Sequence, residues 1–345
     1  MRNRTILAAA VLASALGAHA QAQAPTPTPY AVPPGNVSPE AKDVHDTVAL
    51  IGLQKEMTVE GEMFVDSYFV GAETITFKAG ARLVFSDKAA KARSSMLLAA
   101  RTLVMEDPSK PGVITWTRSE GPQGATPQSG QAQGGPNGQG DGASGTVGYP
   151  GSTGNQGLTG AKAPQLTMFV MSFKGAPPVI DLRGQAAGTG GTGQTGGVGG
   201  VGMQGSPASS SIVDCKSGAG YGGNGGSGGP GGMGGRGGTG GGGGTVTFVS
   251  VPEAFPALLQ LVRADVAPGE GGDGGAGGLG GGGGPGGSQG AKSLPFCKDE
   301  PGRAGHAGGG GALGVKGEKG SAGISGDVFY TTLTQQSFKN IFGIQ

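Results

Sequence analysis

The sequence predicts a mainly β protein: a β-solenoid-like or stacked β-sandwich core bearing three long glycine-rich hairpin arms, packed as a polyglycine-II bundle of polyproline-II helices. Three observations predict it. Glycine supplies 79 of the 345 residues, more than three times the ordinary usage of ~7%. Short apolar runs alternate with period two, as in Thr245-Val246-Thr247-Phe248-Val249, the pattern of a half-buried strand. Between these runs, glycine recurs at every third position. A chain so rich in glycine loses much entropy on ordering and buries little side chain, so its order has to come from backbone contacts.

Strand-like runs occupy 63–70, 73–78, 83–86, 96–105, 113–117, 166–173, 179–182, 245–251, 258–262 and 327–333. They follow a fixed order: a strand, a short spacer, a second strand near an Arg, then a glycine tract. Units open at Ser95, Leu166, Thr245 and Asp327, at periods of about 71, 79 and 82 residues. Such a repeat implies stacked coils, none of which buries its apolar face alone. Phe338, Ile341 and Phe342 fall at helical spacing in the closing segment and predict a cap over one end of the stack.

The resulting organisation is a signal peptide at 1–20, a Pro-rich tether at 21–43, an N-terminal β region at 44–118, arm one at 119–165 and a β coil at 166–183. Arm two follows at 184–244, a β coil at 245–266, arm three at 267–326 and a terminal strand and cap at 327–345. Arg2 and Arg4, the apolar run to Leu16 and Ala18-His19-Ala20 form the basic, apolar and small-residue regions of an export signal. Secretion to an extracellular or cell-surface location is expected. The apolar run is too short for a membrane span, and none of ~20 apolar residues follows. With 24 basic against 23 acidic residues, no electrostatic footprint for nucleic acid is present.

Each arm runs out, breaks and returns. In arm two Gly190, Gly193, Gly196, Gly199, Gly202 and Gly205 keep strict period three, and a GGX tract returns over 222–241; arm three goes out over 271–287 and returns as GXY from Gly302 to Gly326. Polyproline II has three residues per turn, so a glycine at each third position forms a bare edge against which another backbone can lie. GGX tracts have two such edges and belong inside a bundle; GXY tracts have one and belong outside. By this rule both runs of arm two and the outgoing run of arm three are central. A run of twenty residues is ~60 Å long at ~3.1 Å per residue. The only cysteines, Cys215 and Cys297, lie where arms two and three reverse. With the arms side by side, one disulfide ties two tips together; the alternative is two free or intermolecular thiols.

The triplets around Gly314-Val315-Lys316-Gly317-Glu318-Lys319-Gly320 resemble bacterial collagen-like sequence, although collagen needs three parallel chains and unbroken triplets. The out-and-back pattern from Ser119 to Gly326 is similar to the polyglycine-type helix bundles of glycine-rich antifreeze proteins of small arthropods and of phage adhesin tips. Those families share packing and differ in activity, so the resemblance implies an architecture.

No enzyme constellation emerges, and neither a metal nor another cofactor is expected. His45 and His306 are isolated, and the many GxGxxG matches arise by chance in polyglycine without a strand before and a helix after. Glu270 and Asp273 could bind a cation at the root of arm three, and solvated charges are the favoured reading. Asp181 and Asp265, beside Arg183 and Arg263, read as structural ion pairs rather than a catalytic acid and base. Thr189, Thr192, Thr195, Val198 and Val201 share one edge of arm two, a β-branched row repeating at ~9.3 Å; a seam inside the bundle is the favoured reading, a surface for ice or glycan the alternative. The function expected is a non-catalytic scaffold that self-associates into an oligomer or filament. The alternative is a binding module for a glycan or cell-surface ligand or for ice, and a carbohydrate-active β-helix enzyme ranks third.

Overall fold

The computed structural model describes residues 39–51, 53–92, 95–119, 121–126, 130–293, 297 and 302–342; the expected signal peptide and nearly all of the tether lie outside them. The elements in chain order are α1 (Pro39–Ile51), β1 (Gln54–Val59), β2 (Glu62–Val65), β3 (Phe69–Phe77), β4 (Arg82–Phe85), α2 (Asp87–Ala92), β5 (Ser95–Met105) and β6 (Val113–Trp116). Then come β7 (Gln165–Lys174), β8 (Val179–Asp181), β9 (Ser209–Ser210), β10 (Cys215–Ser217) and β11 (Val246–Ser250). A 3-10 turn (Pro252–Ala254), α3 (Phe255–Leu261), β12 (Arg263–Asp265), β13 (Val328–Thr332) and α4 (Gln335–Phe342) complete the chain.

Strands alternate between two parallel sheets. The large sheet has the order β1-β3-β5-β7-β11-β13 and the small one β12-β8-β6-β4-β2, so each circuit of chain lays one strand in each. Paired residues lie 18 positions apart from β1 to β3 (Gln54 and Ala72) and 28 apart from β3 to β5 (Phe69 and Leu97). Once the arms are inserted the separations become 70 (Leu97 and Thr167), 80 (Leu166 and Val246) and 82 (Val246 and Val328). The repeat visible in the sequence is therefore the later half of a longer series, whose first circuits carry no arm. Alternation, with a change of phase at exposed Glu73 in β3 and Arg101 in β5, brings Ile75, Phe77, Leu83, Phe85, Leu98 and Leu103 into one buried layer between the sheets. A second layer lies outside the large sheet, where α1 and α4 cover Phe69, Leu97, Phe169 and Val249.

Several sequence readings change. The run 63–70 is two strands, broken at a bend in which the Ser67 hydroxyl accepts from Phe69 N–H (3.1 Å) and Asp66 accepts from the Ser86 hydroxyl (2.7 Å); 73–78 is the second half of β3. The run 258–262 is helical, in α3, and the strand follows at Arg263. Pro252 and Pro256 decide this: they lack the N–H a ladder needs and their fixed φ suits a first helical turn. The α1 helix runs from Pro39 to Ile51, across the boundary drawn at 44. The α4 helix buries Phe338, Ile341 and Phe342 as its spacing predicts, but against the side of the large sheet and α1 rather than over an end.

Six glycine runs leave and rejoin the core: outgoing and returning runs 121–140 and 142–163, 184–205 and 220–244, and 267–290 and 302–326. Along the seams hydrogen bonds recur every third residue, except that, among the described residues, donors in the outgoing run of arm one pass from Gly124 to Ala132. Gly190, Gly193, Gly196 and Gly199 donate to Asp273, Ala276, Leu279 and Gly282 of a parallel run, and Gly226, Gly229 and Gly232 donate to Gly200, Gly197 and Gln194 of an antiparallel one. The outgoing runs form one layer and the returning runs another. Both runs of arm two bond to four neighbours, the outgoing run of arm three and the returning run of arm one to three, and the remaining two to two. The glycine-edge rule thus places the centre and understates only the returning run of arm one.

The bundle ladder is continuous with the sheets: Leu182 N–H to Asp265 in the small sheet is followed by Gly184 to Ala267, Ala187 to Glu270 and Gly190 to Asp273. A Cβ placed on Gly226 would lie inside the Thr146 carbonyl, whereas one on Gly282 meets nothing within 4 Å. Gly226→Ala is expected to destabilise by about 3 kcal/mol or more, because backbone has to move, and Gly282→Ala by less than about 0.5 kcal/mol. Chemical denaturation of the two variants checks this contrast.

Candidate functional site: the faces and root of the glycine bundle

The bundle offers two broad faces, a tip and a root. On the outgoing layer, Thr189, Thr192, Val198 and Val201 are exposed and Thr195 is half-buried. The row is therefore not the seam expected from the central position of arm two. Arm two has four neighbours, but the third-edge residues meet them through backbone, the Thr189, Thr195, Val198 and Val201 carbonyls accepting from arm one, and leave their side chains exposed or half-exposed. Val198 is 46% and Val201 37% exposed, beside Leu279 at 64%. The hydrogen-bond register sets this row next to Ala276, Leu279, Gly282 and Pro285 of arm three, with Glu270 and Asp273 nearer the root. The centre of this face is uncharged. Arg236, Arg303, His306, Lys316, Glu318 and Lys319 belong to returning runs, so the two layers differ in charge because their sequences differ at the third edge. His306 is exposed, its backbone N–H donating to Asn224 Oδ1 at 2.8 Å.

At the tip, β9 and β10 form a small antiparallel ribbon, and Cys215 of β10 is disulfide-bonded to Cys297, with Cα atoms 5.0 Å apart across 82 residues. The Ser210 and Ser293 hydroxyls bond at 2.8 Å beside it. The bridge joins the tips of arms two and three. On the chain-entropy account, closing a loop of this length stabilises by about 4 kcal/mol. A disulfide fits an oxidising compartment, and among the described residues no helix is long and apolar enough to cross a membrane.

At the root, a shallow cleft of about 510 Å³ is lined by Arg118, Arg183, Gln185, Asp265 and Glu270. Asp181, 15% exposed, receives Arg118 at 2.6 Å and Arg183 at 3.0 Å, and Arg183 also reaches Asp265 at 3.3 Å. The partner of Asp265 is thus Arg183 rather than Arg263. Arg118, the Arg that closes the preceding repeat unit, joins the cluster, a contact that the repeat order does not itself specify. Burial of the Asp181 carboxylate pushes its pKa up, but the hydrogen bonds from Arg183 and Arg118 outweigh that and hold it at about 2. It is ionised at neutral pH and doubly clamped, which suits an anchor better than a proton donor. Trp116 Nε1 donates to the Arg183 carbonyl at 3.1 Å and the Thr115 hydroxyl to the Asp181 carbonyl at 2.9 Å, fixing the last strand residues to the first residues of the arms.

No family model and no curated protein matches this chain. Among solved structures, the nine polyproline type II helical bundle antifreeze protein of the springtail Granisotoma rainieri is matched at 22% identity over 57% of this chain and 97% of that one, with a TM-score of 0.10, far below that of a shared fold.

Because the Asp181 pKa is depressed in the folded state, its stabilisation is present above the ordinary carboxylate value of 3.8 and lost as pH falls toward about 2. Asp181→Asn should cost about 1–2 kcal/mol at pH 5 and flatten the fall in melting temperature between pH 5 and pH 2, as thermal unfolding of both proteins across that window would register.

Proposed function

We propose that this chain is an exported, non-catalytic structural protein: a β-solenoid whose coils hold a polyglycine-II bundle of six polyproline-II runs, assembling end to end into an extracellular fibre. The observation that supports it most is the continuity of the hydrogen-bond ladder from the small sheet into the arms. A ladder that crosses from strands to glycine runs makes core and bundle one stiff body, which suits a load-bearing or displaying part. The paired Cys215 and Cys297 at the tips are consistent with export, and the ionised, Arg-clamped Asp181 favours a structural over a carbohydrate-active reading of the root. Electron microscopy of the purified mature chain tests the proposal: fibres that lengthen with concentration are expected, and monodisperse single particles at every concentration would remove it.

A second reading, a binding module, is favoured by one observation: the Thr189 to Val201 row is solvent-facing on a layer uncharged at its centre. A flat row of small side chains at a fixed repeat loses little side-chain entropy on contact, a property that suits a regular ligand such as ice or a glycan. Thermal hysteresis or glycan retention that disappears in Thr192→Lys and is kept in Lys316→Thr, on the opposite layer, would establish it.

A further inference from the structure

The two ends of the β core are complementary steps. At one end β1 pairs with β3 only from Ala72 onward, so among the described residues Phe69, Val70 and Gly71 have no strand on that side. At the other end, among the described residues, the last circuit contributes β13 alone to the large sheet and nothing to the small one, whose final strand is β12. The strand registers align these ends. Thr331 shares a column with Val249, Phe169, Ala99 and Gly71, and Tyr330 shares one with Phe248, Met168, Leu98 and Val70. β13 therefore occupies the columns that β1 leaves vacant, and the two overlap only where Thr332 and Gln54 fall in one column. In the small sheet Arg263, Ala264 and Asp265 share columns with Glu62, Met63 and Phe64.

We infer that the fibre joint is a composite coil, in which β13 of one copy and β1–β2 of the next complete a single circuit, both sheets continuing in parallel. This rests on the fibre reading above and specifies its interface. The free backbone groups match. Val246 N–H reaches Asp327 and Leu333 N–H reaches Ser250, so the odd residues of β13 face β11, and Val328, Tyr330 and Thr332 face the open edge. Leu97 N–H reaches Tyr68, so Phe69 and Gly71 face away from β5. Parallel pairing then sends Tyr330 N–H to the Phe69 carbonyl, Gly71 N–H to Tyr330 and Thr332 N–H to Gly71. In the small sheet Leu182 N–H reaches Asp265, and Arg82 N–H reaches Gly61, which leaves Ala264 facing Glu62 and Phe64. Glu62, already 3.3 Å from Arg82, would gain Arg263 on its other side. Partly buried Met57, Met63 and Val65 at one end and Phe255, Val262 and Ala264 at the other would close over each other. Open parallel edges of this kind template a further strand, and a head-to-tail contact that does not close on itself grows a filament.

The test uses the mature chain with Glu62→Cys and Arg263→Cys. Within one copy these positions are separated by β4, β6 and β8, about 19 Å at ~4.8 Å per strand, too far for a disulfide; across the joint they are neighbours. Oxidation should give a ladder of reducible covalent oligomers. Adding Thr332→Pro, which removes an open-edge N–H and leaves the bonds to β11 in place, should cut cross-linking and fibre number at least tenfold with an unchanged melting profile. Should the double cysteine chain fail to fold, Thr332→Pro in the wild-type background, imaged alone, decides the same question. Absence of wild-type fibres overturns the fibre reading and the joint with it. Fibres that form without cross-links, or that Thr332→Pro leaves intact, overturn the joint and spare the fibre.

Discussion

In the arms, a backbone N–H at every third residue meets a carbonyl of the adjacent run, at N···O distances of 2.7–3.2 Å, across a gap in which a glycine hydrogen fits and a methyl group does not. Everything else in the molecule depends on that spacing. It supplies the buried backbone with partners where side chains supply almost no core. It sets a period of three on the sequence, and it holds the two facing edges of the central runs mostly to glycine, Gln194 and Met203 in the outgoing run of arm two being exceptions. The third edge is free to vary, and any surface chemistry of the bundle is written there.

The β core solves a problem the arms cannot solve for themselves. Six glycine runs free in solution would lose a large conformational entropy before forming their first contact. Emerging from adjacent strands of a parallel sheet, they start side by side at the ~4.8 Å strand separation, and the ladder proceeds from Leu182 and Asp265 into Gly184 and Ala267 without interruption. The Asp181 cluster holds the root, with Arg118 and Arg183 drawn from the ends of successive circuits. The Cys215–Cys297 bridge holds the tip. Between these clamps, regular packing needs no long side chain.

Much of this is legible in the sequence because two periods suffice to read it. Alternation locates most of the strands, and the three-residue glycine spacing identifies the arms, their reversals and their central members. The failures have equally local causes. Residues 258–262 look like a strand until Pro252 and Pro256 are weighed. The β1 strand, QKEMTV, sits at a sheet edge, is mostly exposed and shows little alternation. Arg118 belongs to the Asp181 cluster through a contact 63 residues away, which spacing alone does not encode. The Thr189–Val201 row reads as a seam only if centrality is equated with burial, whereas a run bonded to four neighbours through its backbone still turns its third-edge side chains outward.

The most direct measurement is residue-resolved amide hydrogen exchange along the outgoing run of arm two. Gly196 and Gly197 donate to Leu279 and Tyr149, and the pattern repeats at Gly199 and Gly200, with exposed Val198 between the pairs. The account predicts slow, slow, fast exchange with Thr192 and Val198 as the fast positions, the slow amides opening only with the core; Thr195, bridged to Gln131, and Val201, whose N–H donates to Asn137 Oδ1 at 2.8 Å, are protected exceptions on the third edge. Uniformly fast exchange from residue 189 to residue 202 would contradict it.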